Sequence, residues 1–363
     1  MKYRRFIVSL VAITATCSAF CTLTCAQGNQ TQGPGPKELR IAGVSAFSRG
    51  HYPEAQRLLE RAVRMAAEEG DAYLLALIHD AIGSIHQNEF EFIKAEGEFE
   101  ETIGILRHQP GHPDLMATAL ANLGNALSGE GRYQEALTSL SEASQLIHDN
   151  RVNNPLLQLH ILNITGGVYL LKGQVKKAEA LFLHALAMSQ EKSMMFPDVL
   201  NNLGTLYSRI GEYQKAVASY THALQLVQEQ LGPSHPNLAT ILRNLGFAYI
   251  RMGRPEEAES QLGQSFAILE NNRLTVSNMG LYTLYGLGRT CMERKQLERA
   301  ESLLGRAVDI GHRVRARTPE MAVTLELYAA VLRTSSRYSE AESLHAEAAG
   351  IRAEQVLTTR VSR

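Results

Sequence analysis

The chain has no tryptophan and only four cysteines in 363 residues, three of them (Cys17, Cys21, Cys25) within the first 26. Without that segment Cys291 stands alone, so no intramolecular disulfide can staple the remaining chain. An excess of one charge is also missing, with 36 basic residues against 37 acidic. Neither a nucleic-acid footprint nor a polybasic membrane patch is present. The motifs H-E-x-x-H, G-x-x-x-x-G-K-[ST], G-x-S-x-G and C-x-x-C are absent, as is a strand-borne G-x-G-x-x-G. His108 and His112 are separated by Pro110 and Gly111 and cannot share a helix face. His79 and His86 have the spacing to share one but lack a third ligand. The adjacent pairs Glu68-Glu69 and Glu256-Glu257 point in different directions on a helix and read as solvated charge. The sequence thus reads as a non-enzyme, with no catalytic residues, cofactor, metal site or small-molecule substrate.

The only long apolar run is at the start. Lys2, Arg4 and Arg5 precede an apolar core from Phe6 to about Phe20, and Thr24-Cys25-Ala26 supplies a small-residue boundary. This is the layout of a secretory signal peptide over residues 1–26, which places the protein in the periplasm or outside the cell. An uncleaved anchor through residues 6–26, or lipidation at Cys25, are the alternatives. Removing residues 1–26 leaves 33 basic residues against 37 acidic. Residues 27–36, rich in Gly, Gln and Pro, read as a flexible linker.

What the chain has in abundance is repetition. An alanine follows a glycine or alanine by twelve residues in each of eight units, 38 to 42 residues apart: Gly43/Ala55, Gly83/Ala95, Gly124/Ala136, Gly166/Ala178, Gly204/Ala216, Gly246/Ala258, Gly288/Ala300 and Ala329/Ala341. Four residues after the second anchor comes a large residue: Leu59, Phe99, Leu140, Phe182, Tyr220, Leu262 and Leu304, with His345 in the last unit. Seven after it comes a small one, from Ala62 to Ala348. These spacings put each set on one helix face, and Gly131-Arg132-Tyr133, Gly173-Gln174, Gly211-Glu212-Tyr213 and Gly253-Arg254-Pro255 supply turns. Each unit reads as two helices. Glycine inside a helix costs about 1 kcal/mol relative to alanine, so its recurrence calls for close approach of a neighbouring helix. Cys291 falls where other units carry tyrosine and reads as a buried core thiol.

Leu203-Gly204-x-x-Tyr207 with Ala216, Tyr220 and Ala223, and Leu245-Gly246-x-x-Tyr249 with Ala258 and Leu262, resemble the tetratricopeptide repeat. The resemblance covers about residues 37–356. It implies an all-α, right-handed α-solenoid of about eight helix-turn-helix repeats, followed by a disordered tail at 357–363. Units near 42 residues, with Gly111-His112-Pro113-Asp114 and Gly232-Pro233-Ser234-His235-Pro236-Asn237 as linkers, are similar to the long-unit subclass typified by kinesin light chain.

The resemblance also implies that first helices line a concave groove. Its lining is then Asn122, Asn125, His160, Asn163, Asn201, Asn202, Thr205, Arg209, Arg243, Asn244, Phe247, Arg251, Tyr282, Tyr285 and Arg289. Asn122, Asn202 and Asn244 share one place, two residues before the glycine, and asparagines there suit pairing with an extended peptide backbone. Bonds between these asparagines and neighbouring helices are the alternative. The arginines and aromatics from Arg243 to Arg289 point to an acidic-and-apolar segment of a partner protein. The chaperone carboxylate clamp is not supplied by any three consecutive units. The expected function is a non-catalytic scaffold for protein–protein interaction. The rival is an architectural subunit that assembles through its ends or convex face with the groove empty.

Overall fold

A computed structural model describes residues 33–150, 152–191 and 197–361. The signal segment, and the linker up to residue 32, lie outside the described residues. Among the described residues there are sixteen α-helices and no strand. They pair as hairpins: α1 (Pro36–Ser48) with α2 (Tyr52–Glu69), α3 (Ala72–Asn88) with α4 (Phe92–Arg107), α5 (Pro113–Gly129) with α6 (Tyr133–Asp149), and α7 (Pro155–Leu171) with α8 (Val175–Glu191). Then come α9 (Pro197–Ile210) with α10 (Tyr213–Leu231), α11 (Asn237–Arg251) with α12 (Pro255–Asn271), α13 (Asn278–Glu293) with α14 (Leu297–Arg313), and α15 (Pro319–Thr334) with α16 (Tyr338–Val361). The chain is an all-α repeat solenoid. It divides into two compact units, one ending at Asn202 and the other starting at Leu203.

The anchors sit where the periodicity demands. A methyl group on Gly83 would lie 2.6 Å from the Phe99 ring, one on Gly204 2.6 Å from Tyr220, and one on Gly246 2.6 Å from Leu262. The large residue of the second helix therefore occupies the space a side chain on the first would need. The second anchors Ala55, Ala95, Ala136, Ala216, Ala258, Ala300 and Ala341 are fully buried. So is Cys291, whose thiol burial holds in the protonated form.

Each hairpin turns at a left-handed residue five positions before the second anchor. In five hairpins it is glycine (Gly50, Gly131, Gly173, Gly211, Gly253) and in three it is Phe90, Lys295 or Ser336. The linkers work locally. Pro113 opens α5, His112 stacks on Tyr73 at 4.0 Å, and His235 Nδ1 accepts from the Asn237 amide at 3.2 Å. α16 continues as helix through Val361, into the segment expected to be a disordered tail. No glycine or proline lies between Ile351 and Val361 to stop it.

Within either unit the first helices meet one another: α1 with α3, α3 with α5 and α5 with α7, and likewise α11 with α13 and α13 with α15. No second helix meets another second helix among the described residues. The first helices therefore form the inner row and the second helices the outer row. Ion pairs tie hairpin turns to the second helix before them, as from Arg132 to Glu96 at 2.5 Å and from Arg337 to Glu301 at 2.6 Å.

Candidate functional site

In each unit the inner row carries polar side chains at fixed offsets from the anchors. In the N-terminal unit, Asn122 of α5 reaches both ways. Its Nδ2 donates to Asp80 Oδ1 of α3 at 3.1 Å, and its Oδ1 lies 3.1 Å from His160 Nε2 of α7. Because the Asn122 nitrogen is committed to Asp80, its oxygen accepts, which puts the His160 proton on Nε2. Further along, Asn202 Nδ2 donates to Asn163 Oδ1 at 2.9 Å. Burial holds His160 neutral, with its pKa down at about 4, and pushes the Asp80 carboxyl up to about 6.

In the C-terminal unit the stripe becomes cationic and aromatic. Arg243 of α11 is only 4% exposed, donates from Nη2 to Asn244 Oδ1 at 3.3 Å and lies 6.0 Å from the Tyr282 ring centre. Tyr282 donates to Thr318 Oγ1 at 3.0 Å, and Phe247 stacks on Tyr285 at 6.0 Å. Burial pushes the Arg243 pKa down, opposed by Tyr282, Tyr220 and Glu320, and pushes the Tyr282 phenol up.

These residues were expected to face solvent. Arg209 and Arg251 do, and Arg289 is half-buried. Asn122, Asn125, Asn163, Asn201, Asn202, Arg243 and Tyr285 are buried instead, and Asn244, Phe247 and Tyr282 are half-buried. The correction has a physical cause: adjacent first helices lie close enough for their polar side chains to bond one another, and Tyr285 packs into a core cluster with Cys291 and Leu304. Asn122, Asn163 and Asn202 thus bond between helices, whereas Asn244 accepts from Arg243 on its own helix.

The ladder does not absorb every polar atom. Gln87 Nε2 and Oε1, Asn125 Nδ2, Asn202 Oδ1 and Arg243 Nη1 are buried without a hydrogen-bond partner. These four residues belong to first helices, while His345 Nε2 on α16 and Glu130 Oε1 beyond the end of α5 are buried without a partner too. Asp80 and Gln87 were missed as site residues, although the same offsets, three before and four after Gly83, pick them out.

Other features lead elsewhere. His79 pairs with Glu98 at 2.7 Å rather than with His86. The ligand atoms of His86, Glu89 and Glu91 cluster within 4.8 Å, but Glu91 already binds Lys94 at 2.8 Å. An open cleft of about 610 Å³ between α6, α7 and α8 carries Lys172 and Lys177, away from the amide stripe. No described helix is long and apolar enough to cross a membrane.

Comparison with known proteins agrees with this geometry. Residues 115–191 and 196–271 match the family model of the tetratricopeptide repeat, and residues 39–89 match that of anaphase-promoting complex subunit 5. No curated protein matches the sequence. Among solved structures, the Rap conjugation gene regulator of plasmid pLS20, in complex with the Phr* peptide, is similar over 91% of this chain and 99% of its own, with a TM-score of 0.63 and 11% identity. BtubC (BKLC) from P. vanneervenii is similar over 62% of this chain and 91% of its own, with a TM-score of 0.52 and 23% identity. The Cut9–Hcn1 hetero-tetramer of the APC/C is similar over 82% of this chain and 55% of its own, with a TM-score of 0.52 and 16% identity. Residues 115–191 and 196–271 therefore carry tetratricopeptide repeats, and the chain shares its fold with these solved structures.

Proposed function

We propose that this protein is an exported, non-catalytic scaffold whose first-helix faces bind extended peptide segments of partner proteins. The observation that carries the reading is the set of buried, unpartnered amide and guanidinium atoms on that one face. Leaving such an atom unpaired costs about 1–3 kcal/mol, and an extended peptide backbone offers the alternating donors and acceptors that would satisfy it. In the C-terminal unit, Arg243 beside Tyr282 and Phe247 suits an acidic-and-apolar segment. The likeness in fold to a peptide-bound regulator accords with this use of the face. Export rests on the basic start, short apolar core and small-residue boundary of residues 1–26.

Gln87→Leu tests the reading, because it removes two unpartnered atoms at nearly constant volume. Thermal stability should hold or rise, while affinity for a captured partner peptide, measured by calorimetry, should fall by about 1–2 kcal/mol. Unchanged affinity with intact helicity would move the binding surface off the inner row and favour the architectural rival.

A further inference from the structure

Asp80 is the one feature of the inner stripe that the reading above leaves without a task. It shares a face of α3 with Ser84 and Gln87, four and seven residues on. Its Oδ1 accepts from Asn122 Nδ2, a neutral donor. No lysine or arginine among the described residues forms an ion pair with it. His160 is one amide away and neutral, and His79 on the same helix is turned to Glu98. A half-buried carboxylate with a single neutral partner is an uncompensated charge when ionised, and a counter-charge brought by a ligand would stabilise it. Two turns further along α3, and on the neighbouring α5, Gln87 and Asn125 hold buried amide atoms with no partner.

We propose that Asp80 anchors a cationic group of a bound peptide, a lysine or arginine side chain or a free α-amine, while Gln87 and Asn125 hold the flanking backbone. The inference rests on the peptide-binding reading and deepens it: the N-terminal unit takes a charge opposite to the one Arg243 selects. An organic cation fits better than a metal ion. The neighbouring Asn122 turns its amide hydrogens, not its oxygen, toward Asp80, and a single carboxylate does not make the multi-oxygen shell a hard cation needs.

The probe is a set of dodecapeptide mixtures, C-amidated and labelled at the C-terminal end, degenerate except at one position fixed as Lys, Arg, Gln or Glu. Each is made with a free and with an acetylated N terminus and titrated against the full chain by fluorescence anisotropy at pH 8. At one fixed position, Lys and Arg should bind about tenfold tighter than Gln, and Asp80→Asn should erase that advantage without weakening the Gln mixture. An advantage confined to free N termini assigns the α-amine, and one that survives acetylation assigns the side chain. Lowering the pH to 5 protonates Asp80, whose pKa is about 6, and should erase the advantage in the unmutated chain, so a folding defect in the variant does not decide the matter. His160, with its pKa at about 4, stays neutral across that interval. Tight Gln binding with no basic advantage, or an advantage that survives Asp80→Asn, overturns the inference and leaves peptide binding standing. Absence of binding by every mixture overturns both.

Discussion

Asp80 and His160 grip opposite ends of one amide, and burial displaces their ionisation in opposite directions. For Asp80 the folded-state pKa, about 6, is raised above its ordinary value of 3.8. Its contribution is therefore full below about pH 4 and is lost as pH rises through 6. For His160 the folded-state pKa, about 4, is depressed from 6.5, so its contribution is present above pH 6.5 and is lost as pH falls through 4. Each shift is on the order of 3 kcal/mol at full effect, so between pH 6.5 and 4 the two largely cancel. Single substitutions should unmask them. In urea unfolding, Asp80→Asn should be more stable than the parent at pH 7.5, by about 1–3 kcal/mol, and should lose stability more steeply on acidification. His160→Gln should instead gain stability as the pH falls over the same range. Parallel pH profiles for all three proteins would show that the two groups do not titrate as described. At this scale the sequence was half legible. The offsets from the anchor glycines placed the asparagines on the right face, but their burial depends on how closely neighbouring first helices approach, which no local pattern encodes.

At the scale of the element, the hairpin is legible throughout, because its determinants are short-range: an anchor glycine facing a large side chain sixteen residues later, and a left-handed residue between them. Gly204→Val drives two methyl groups into the space held by the Tyr220 ring and should destabilise the chain by about 2 kcal/mol or more in thermal or urea unfolding. The three turns without glycine offer the opposite experiment. Lys295 is exposed, adopts φ 58° and donates its amide to the Met292 carbonyl at 3.0 Å. Lys295→Gly keeps that bond and relieves the crowding of a β-carbon in the left-handed region, so stability should rise by about 1 kcal/mol. α16 runs on to Val361 because no glycine or proline follows Ile351 to stop it.

At the scale of the whole molecule, eight repeats and the all-α class follow from the period alone, since each hairpin can bury its apolar face only against the next. Export is expected from residues 1–26, and mass spectrometry of the accumulated native protein should find a chain beginning near Gln27. Intact residues 6–26 in that material would establish the anchor instead, and a diacylated Cys25 the lipoprotein. The contrast between the two helix rows also has a mechanical side. Within either unit the first helices abut, while ion pairs such as Arg132–Glu96 and Arg337–Glu301 tie the turn of one hairpin to the second helix of the hairpin before it. Rotating successive hairpins apart within a unit must part each second helix from the first helix that follows it, as α4 from α5 and α12 from α13, besides breaking these charge pairs. Only the charge pairs weaken with salt, so the ionic strength of the medium trims a stiffness that packed side chains set within each unit.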